Sequence, residues 1–213
     1  EPAQAAGAPA VVVIQEWWGL NDQIRGVADR LAQAGYLALV PDLYRGKSAA
    51  EAEEAHHLMS GLNFGDAASQ DERGAVQYLK AAKLGSGKVG VTGFCMGGAL
   101  TVLASTMVPE ADAAVIWYGY PPLEYVDASK IGMPLMAHWA TQDGAFAIAG
   151  VDALEAKLKE ARVRYEGHRY LAHHAFANED AQGRHRIGIT QYDAAWAQLA
   201  YDRTMRFFGV ELG

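Results

Sequence analysis

Short apolar runs alternate along this chain with amphipathic stretches of helical spacing. Residues 10–14 are a run of Val and Ile that ends at Gln15-Glu16-Trp17-Trp18-Gly19, the pattern of a strand buried on both faces. Asn21 or Asp22 is placed to cap a helix whose Ile24, Val27, Ala28 and Leu31 share a face, and Gly35 stops it. Residues 36–40 read as a second buried strand, halted by Pro41-Asp42. Residues 43–65 are less regular and predict a loop and a short helix. A helix is expected over 66–83, ended by Gly85-Ser86-Gly87, then a third strand over 88–92. A helix over 99–107 follows, and strands four and five fall at 113–118 and 134–139. An amphipathic helix is expected at 148–161 and an alternating sixth strand at 163–171. The closing helix is expected at 189–208, with Trp196, Leu199, Met205 and Phe208 facing inward. This alternation predicts an α/β fold, a mostly parallel sheet with helices on both faces. No repeat, low-complexity block or linker interrupts it, so residues 1–213 are expected to form one domain.

Composition narrows the function classes. The 213 residues are 51% hydrophobic and 20% charged, which excludes a disordered chain or a coiled coil. The net charge of -7, from 25 acidic against 18 basic residues, argues against a nucleic-acid partner. No stretch approaches the ~20 apolar residues of a membrane span, so no membrane partner is expected. The first ten residues lack a basic segment before an apolar run, so they are not an intact signal peptide. Without an initiator methionine the chain reads as processed, trimmed or a fragment, with an original leader left open. The single cysteine, Cys95, excludes an intrachain disulfide and a sulfur-rich metal site. It fits a reducing compartment, and a cytoplasmic location is expected.

The strongest local signal is Gly93-Phe94-Cys95-Met96-Gly97-Gly98 between a strand and a helix. A strand that turns sharply into a helix crowds the residue at its tip, and small neighbours two positions away on each side relieve that crowding. The tip side chain then stands above the strand ends, as in a nucleophile elbow with Cys in the usual Ser position. The Met96 amide points into the same space and is the expected oxyanion donor. The N-terminal end of the following helix favours the reactive thiolate. The alternative is that Cys95 is a small buried hydrophobe.

A nucleophile needs a base and the base an orienter. In the order nucleophile, acid, histidine, Asp143 follows the fifth strand and His174 the sixth. Both sit beyond C-terminal strand ends, where open α/β sheets place ligands. Asp143 before Gly144 also suits an ordinary turn, and His173 is the competing base. Glu16 ends the first strand beside Trp17 and Trp18, where partial desolvation would raise its pKa. Of Trp117, Tyr118 and Tyr120 after the fourth strand, one or more is expected to line a pocket. Arg45 after Pro41-Asp42-Leu43-Tyr44 suits an anion or a surface pair. The adjacent histidines His56-His57 and His173-His174 do not aim two rings at one ion, so no metal is expected.

Taken together, Gln15-Glu16-Trp17-Trp18-Gly19, Pro41-Asp42-Leu43-Tyr44, the Cys95 elbow, the Asp143 turn and His174-Ala175-Phe176 resemble the dienelactone hydrolase family, from about residue 10 to the closing helix. The resemblance implies the α/β-hydrolase fold, a triad of Cys95, His174 and Asp143, and no cofactor. It implies that Glu16 contacts the resting thiol until substrate displaces it, and that a second oxyanion amide comes from Trp17. The substrate would be a small lactone or ester, cleaved through a thioester. Trp18, Arg45, Tyr118, Phe176 and Asn178 are the expected substrate-binding residues, and a monomer or weak homodimer is expected.

Two departures stand out. The best-known members of that family hold a substrate carboxylate with two arginines; the stretch matching the first, residues 51–59, contains none, and Asn178 stands where the second would be. Arg45, Arg184 or Arg186 are the candidates to rebuild that clamp. The family's usual strands before the first buried strand are also expected to be absent from residues 1–213. The competing readings are an inactive small-molecule binder on the same fold and a redox-responsive thiol protein, the latter lacking a resolving cysteine.

Overall fold

The computed structural model describes residues 6–82, 85–183 and 186–213. The expectations that touch residues 1–5, Lys83 and Arg184 lie outside them. Six strands form one sheet: β1 (Ala8–Ile14), β2 (Leu37–Leu39), β3 (Gly85–Phe94), β4 (Ala113–Trp117), β5 (Leu135–Ala140) and β6 (Tyr165–Tyr170). Every pairing between them is parallel, in the order β2-β1-β3-β4-β5-β6. The order reverses between β1 and β3, and the crevice beyond their C-terminal ends is where such sheets bind ligands.

Helices cover both faces because the central strands are apolar on both. Val11 and Val13 of β1 pack with Ile24, Val27 and Leu31 of helix α1 (Asp22–Gln33) and with Phe207 and Phe208 of the closing helix. Val12 and Ile14 face the other way, into a core shared with Val76, Leu100 and Leu154. Each fully buried aliphatic side chain contributes about 1.5–3 kcal/mol, so a polar substitution in β1 would cost about that much in the layer its side chain faces. The capping of α1 follows the expected chemistry. Asn21 Oδ1 accepts from the Ile24 amide at 3.1 Å, and Gly35, at φ 99°, lets the Tyr36 amide return to Leu31 O.

The remaining helices are α2 (Ala52–Ser60), α3 (Phe64–Asp66), α4 (Arg73–Ala81), α5 (Met96–Met107), α6 (Ile148–Glu160) and α7 (Ala194–Glu211). Three expectations are corrected. Gly85-Ser86-Gly87 does not end a helix but begins β3, paired to β1 through Ala8 and Gly85. The closing helix starts not at Ile189 but at Ala194, capped by Asp193 Oδ1 on the Ala195 and Trp196 amides. The helix expected from Asp66 is interrupted by a π-helical segment, Ala67–Glu72, in which the Arg73 amide reaches back to Ala68 O.

That π segment ends on a buried carboxyl group. Glu72 is fully buried and neither carboxyl oxygen has a hydrogen-bond partner among the described residues. Burial, with Asp71 beside it, pushes its pKa well above 4.5. A carboxyl whose folded pKa is raised loses stability for the protein as pH climbs from the unfolded value towards the folded one. Glu72→Met removes that loss. Denaturant unfolding at a series of pH values is expected to show the variant's advantage growing by about 1.4 kcal/mol per pH unit above 4.5; parallel curves for the two proteins would refute it.

Candidate active site

The end of β3 turns into α5 within one residue, Cys95, which holds φ 55° and ψ -116°. For a residue with a Cβ this backbone is strained by about 1–3 kcal/mol, and the surroundings hold it there. The Cys95 amide donates to Trp117 O at 3.0 Å, and its carbonyl accepts from Ala99 N at 3.1 Å. Gly93 and Gly97 meet across the turn: a Cβ on Gly93 would lie 2.1 Å from Gly97 O. A third glycine, Gly119, was not flagged by the motif. A Cβ there would sit 1.9 Å from Cys95 O, so the loop after β4 closes the elbow from the far side. Only a through-space contact reveals it.

His174 and Asp143 converge on this thiol. His174 Nε2 lies 3.1 Å from Cys95 Sγ, and Nδ1 lies 2.8 Å from Asp143 Oδ2. The other carboxylate oxygen, Oδ1, accepts from the amides of Ala145 at 2.7 Å and Phe146 at 2.8 Å. Both side chains are almost wholly buried, at 5% and 2% exposure. Burial opposes a charged imidazole, but the Cys95 sulfur and Asp143 together override it and hold His174 well above its usual value. The residue after it, Ala175, is at φ 59°, and the His174 carbonyl accepts from Gln191 N at 3.1 Å. The competing histidine, His173, instead turns its Nδ1 to Gln142 O at 3.3 Å.

Glu16 is buried behind this group. Its oxygens meet Tyr118 Oη at 3.3 Å and Asn178 Nδ2 at 2.8 Å. Burial raises its pKa, with His174, Asn178 and Tyr118 working against that rise. Among the described residues the thiol hydrogen-bonds His174, whereas Glu16 bonds Tyr118 and Asn178. Trp17 and Met96 both line the space around Sγ. Met96 opens α5, so its N–H has no intrahelical acceptor. The Trp17 N–H has no acceptor among the described residues.

A cavity of about 380 Å³ opens over the thiol. Cys95, His174, Glu16 and Asn178 reach it, and its walls are Trp17, Trp18, Met59, Phe64, Tyr120, Pro121, Phe146, Ile187 and Ile189. Tyr120 stacks edge-on with Phe146 at 5.3 Å and donates to Ala147 O at 2.9 Å. Of the expected substrate contacts, Trp18 and Asn178 line the cavity. Tyr118 and Phe176 do not: both are fully buried beneath it and pack on each other at 5.3 Å. Arg45 is also elsewhere, exposed and paired with Asp71 at 2.6 Å. Arg186 is exposed and absent from the walls. Met59 in the last turn of α2, Phe64 at the start of α3, Phe146 after β5, and Ile187 and Ile189 before α7 have no shared spacing that a motif could carry.

Comparison with known proteins gives a consistent result. The sequence model of the dienelactone hydrolase family matches residues 1–212. "Protein usf" of Aquifex pyrophilus is 35% identical over 210 residues, covering 95% of this chain and 88% of that protein. An Escherichia coli (strain K12) protein named "Putative carboxymethylenebutenolidase" is 32% identical, covering 97% of this chain and 79% of the other. A solved structure from Klebsiella pneumoniae, titled as a "Putative Dienelactone Hydrolase", superposes with a TM-score of 0.81 at 25% identity, covering 96% and 88% of the two chains. Among the described residues, no helix is long and apolar enough to cross a membrane.

Proposed function

The chain belongs to the dienelactone hydrolase family, a carboxylic ester hydrolase with the α/β-hydrolase fold, and we propose that within it this protein cleaves small neutral lactones or esters through Cys95. The observation that carries this reading is the hydrogen-bonded line Cys95–His174–Asp143 at the floor of an apolar cavity. Cys95 attacks the ester carbonyl as a thiolate. The carbonyl oxygen gains the negative charge and is met by the amides of Met96 and Trp17. Collapse of this intermediate breaks the C–O bond, and the imidazolium of His174 gives its proton to the leaving oxygen. The thioester is opened by water, whose proton returns to His174, and the acid departs. Asp143 keeps Nδ1 protonated throughout. Glu16, tied to Tyr118 and Asn178, fixes the loop that carries Trp17, while His174 alone serves the thiol.

The substrate class follows from the walls. Among the described residues the cavity lining contains no Lys or Arg, so none of them offers a guanidinium or ammonium to offset the hydration a substrate carboxylate would lose. The test sets a neutral p-nitrophenyl ester series and an unsubstituted butenolide against a dienelactone bearing a free carboxylate. The neutral compounds are expected to give a kcat/KM at least about tenfold higher. A preference for the carboxylate-bearing lactone would refute the neutral assignment. Tight binding of either class without turnover would favour an inactive binder.

A further inference from the structure

We propose that Tyr44 is a positioning residue for the oxyanion hole, its hydroxyl clamping the Trp17 peptide and resting on Met96 at the same time. The inference rests on the ester chemistry above and adds to it a side chain that reaches neither thiol nor cavity wall.

Tyr44 Oη donates to Trp17 O at 3.0 Å and lies 3.3 Å from Met96 Sδ. A phenol has one proton, and the carbonyl is the stronger acceptor, so the bond goes to Trp17 and the thioether packs on the oxygen. One hydroxyl thus contacts both residues whose amides face the developing charge. The turn before it is oriented from the other end as well. Glu16 O accepts from Gly19 N at 3.2 Å. Across a trans peptide the N–H opposes the C=O, so this bond turns the Trp17 N–H away from the turn. With the next carbonyl held by Tyr44, the peptides on both sides of Trp17 are fixed.

The clamp is itself anchored. Tyr44 N donates to Asp42 Oδ1 at 3.1 Å, and Leu43 N donates to Gln15 Oε1 at 3.3 Å. Ala49 N donates to Trp18 O at 2.9 Å. Gly19, at φ 94°, leaves room for the ring: a Cβ there would come within 3.2 Å of Tyr44 Cδ2. Burial, with the Cys95 sulfur nearby, pushes the phenol above its ordinary pKa, so the donor persists through the working pH range. Oxyanion stabilisation depends on donors already in place when charge develops, and Tyr44 supplies that fixity.

Tyr44→Phe deletes one oxygen and keeps the ring. On a neutral p-nitrophenyl ester, kcat is expected to fall about 10- to 100-fold with KM changed less than about threefold. A trifluoromethyl ketone, which Cys95 converts to a hemithioketal oxyanion in the same hole, should lose affinity by the same factor. Alkylation of Cys95 by iodoacetamide should keep its rate and pH profile, because the Cys95–His174–Asp143 line is untouched. An unchanged kcat overturns the proposal. So does a fall in kcat without weaker ketone binding, or one matched by slower alkylation. Should Tyr44→Phe not accumulate as folded protein, Tyr44→Met also lacks the donor and is read in the same way. A wild type that is alkylated but cleaves no ester overturns the hydrolase reading and this proposal with it, whereas a normal Tyr44→Phe beside an active wild type overturns the positioning role alone.

Discussion

Replacing Cys95 with alanine is expected to abolish ester turnover while the protein stays folded. In the proposed chemistry the sulfur forms the bond that makes the thioester, so no neighbour substitutes for it. Loss of a nucleophile from a unit that acts together costs on the order of 10⁴–10⁶ in kcat, the residue being what the oxyanion donors and His174 achieve with water alone. Alanine tolerates the φ of 55° as poorly or as well as cysteine does, so thermal melting should move little. Steady-state hydrolysis beside a melting curve decides it. A variant within tenfold of wild type would mean that the thiol is not the nucleophile.

Asp143→Asn is the second large effect, and its direction follows from hydrogen-bond chemistry. Asp143 Oδ1 accepts two backbone N–H groups, from Ala145 and Phe146. An asparagine must place its carbonyl oxygen there, because an NH₂ would face two donors. Its NH₂ is then forced onto His174 Nδ1 at the Oδ2 position. Nδ1 must accept, so the proton moves to Nε2 and faces the thiol, the wrong tautomer for taking a proton from it. We expect kcat to fall by on the order of 10³–10⁴. The alkaline limb of the pH–rate profile reports loss of the imidazolium proton. In wild type it should lie above the ordinary 6.5, since Cys95 and Asp143 outweigh burial. In the variant one of those two supports is gone, and the limb should move to lower pH. A limb that stays in place would show that Asp143 does not hold the imidazolium.

The parts of the molecule legible in the sequence are those whose cause is local. β1 and β4 are unbroken apolar runs because both their faces are covered, and Asn21 and Gly35 mark the ends of α1 by their own chemistry. The elbow announces itself because Gly93 and Gly97 must be small where the chain folds onto itself. The π segment before α4 was hidden, since Ala67–Glu72 keeps an apolar-to-polar rhythm close to that of an α-helix. Residues 189–193 looked like helix because Ile189 is apolar, yet they run beside His174, where Thr190 pairs with it. Tyr118 and Phe176 follow strand ends, as pocket residues do, but their rings turn down into the layer under α7. Asn178 was placed by its position after the histidine. Nothing in its surroundings in the chain indicates that its amide holds Glu16 across 162 residues.

The cavity has a floor and walls of different origin. The groups at its floor sit at the tips of β1, β3, β5 and β6, each anchored by the sheet. Met59 lies in the last turn of α2 and Phe64 opens α3, on either side of the link between them, Pro121 follows β4, and Ile187 and Ile189 belong to the connection before α7. Ile189 is 42% exposed, so its side chain supports little of the interior. Mutations in these connections change what fits without disturbing what reacts, and mutations at the strand tips do the reverse. Selection can therefore retune preference and reactivity on separate tracks, and a library confined to residues 59, 64, 187 and 189 should yield new substrate ranges at small cost in folding.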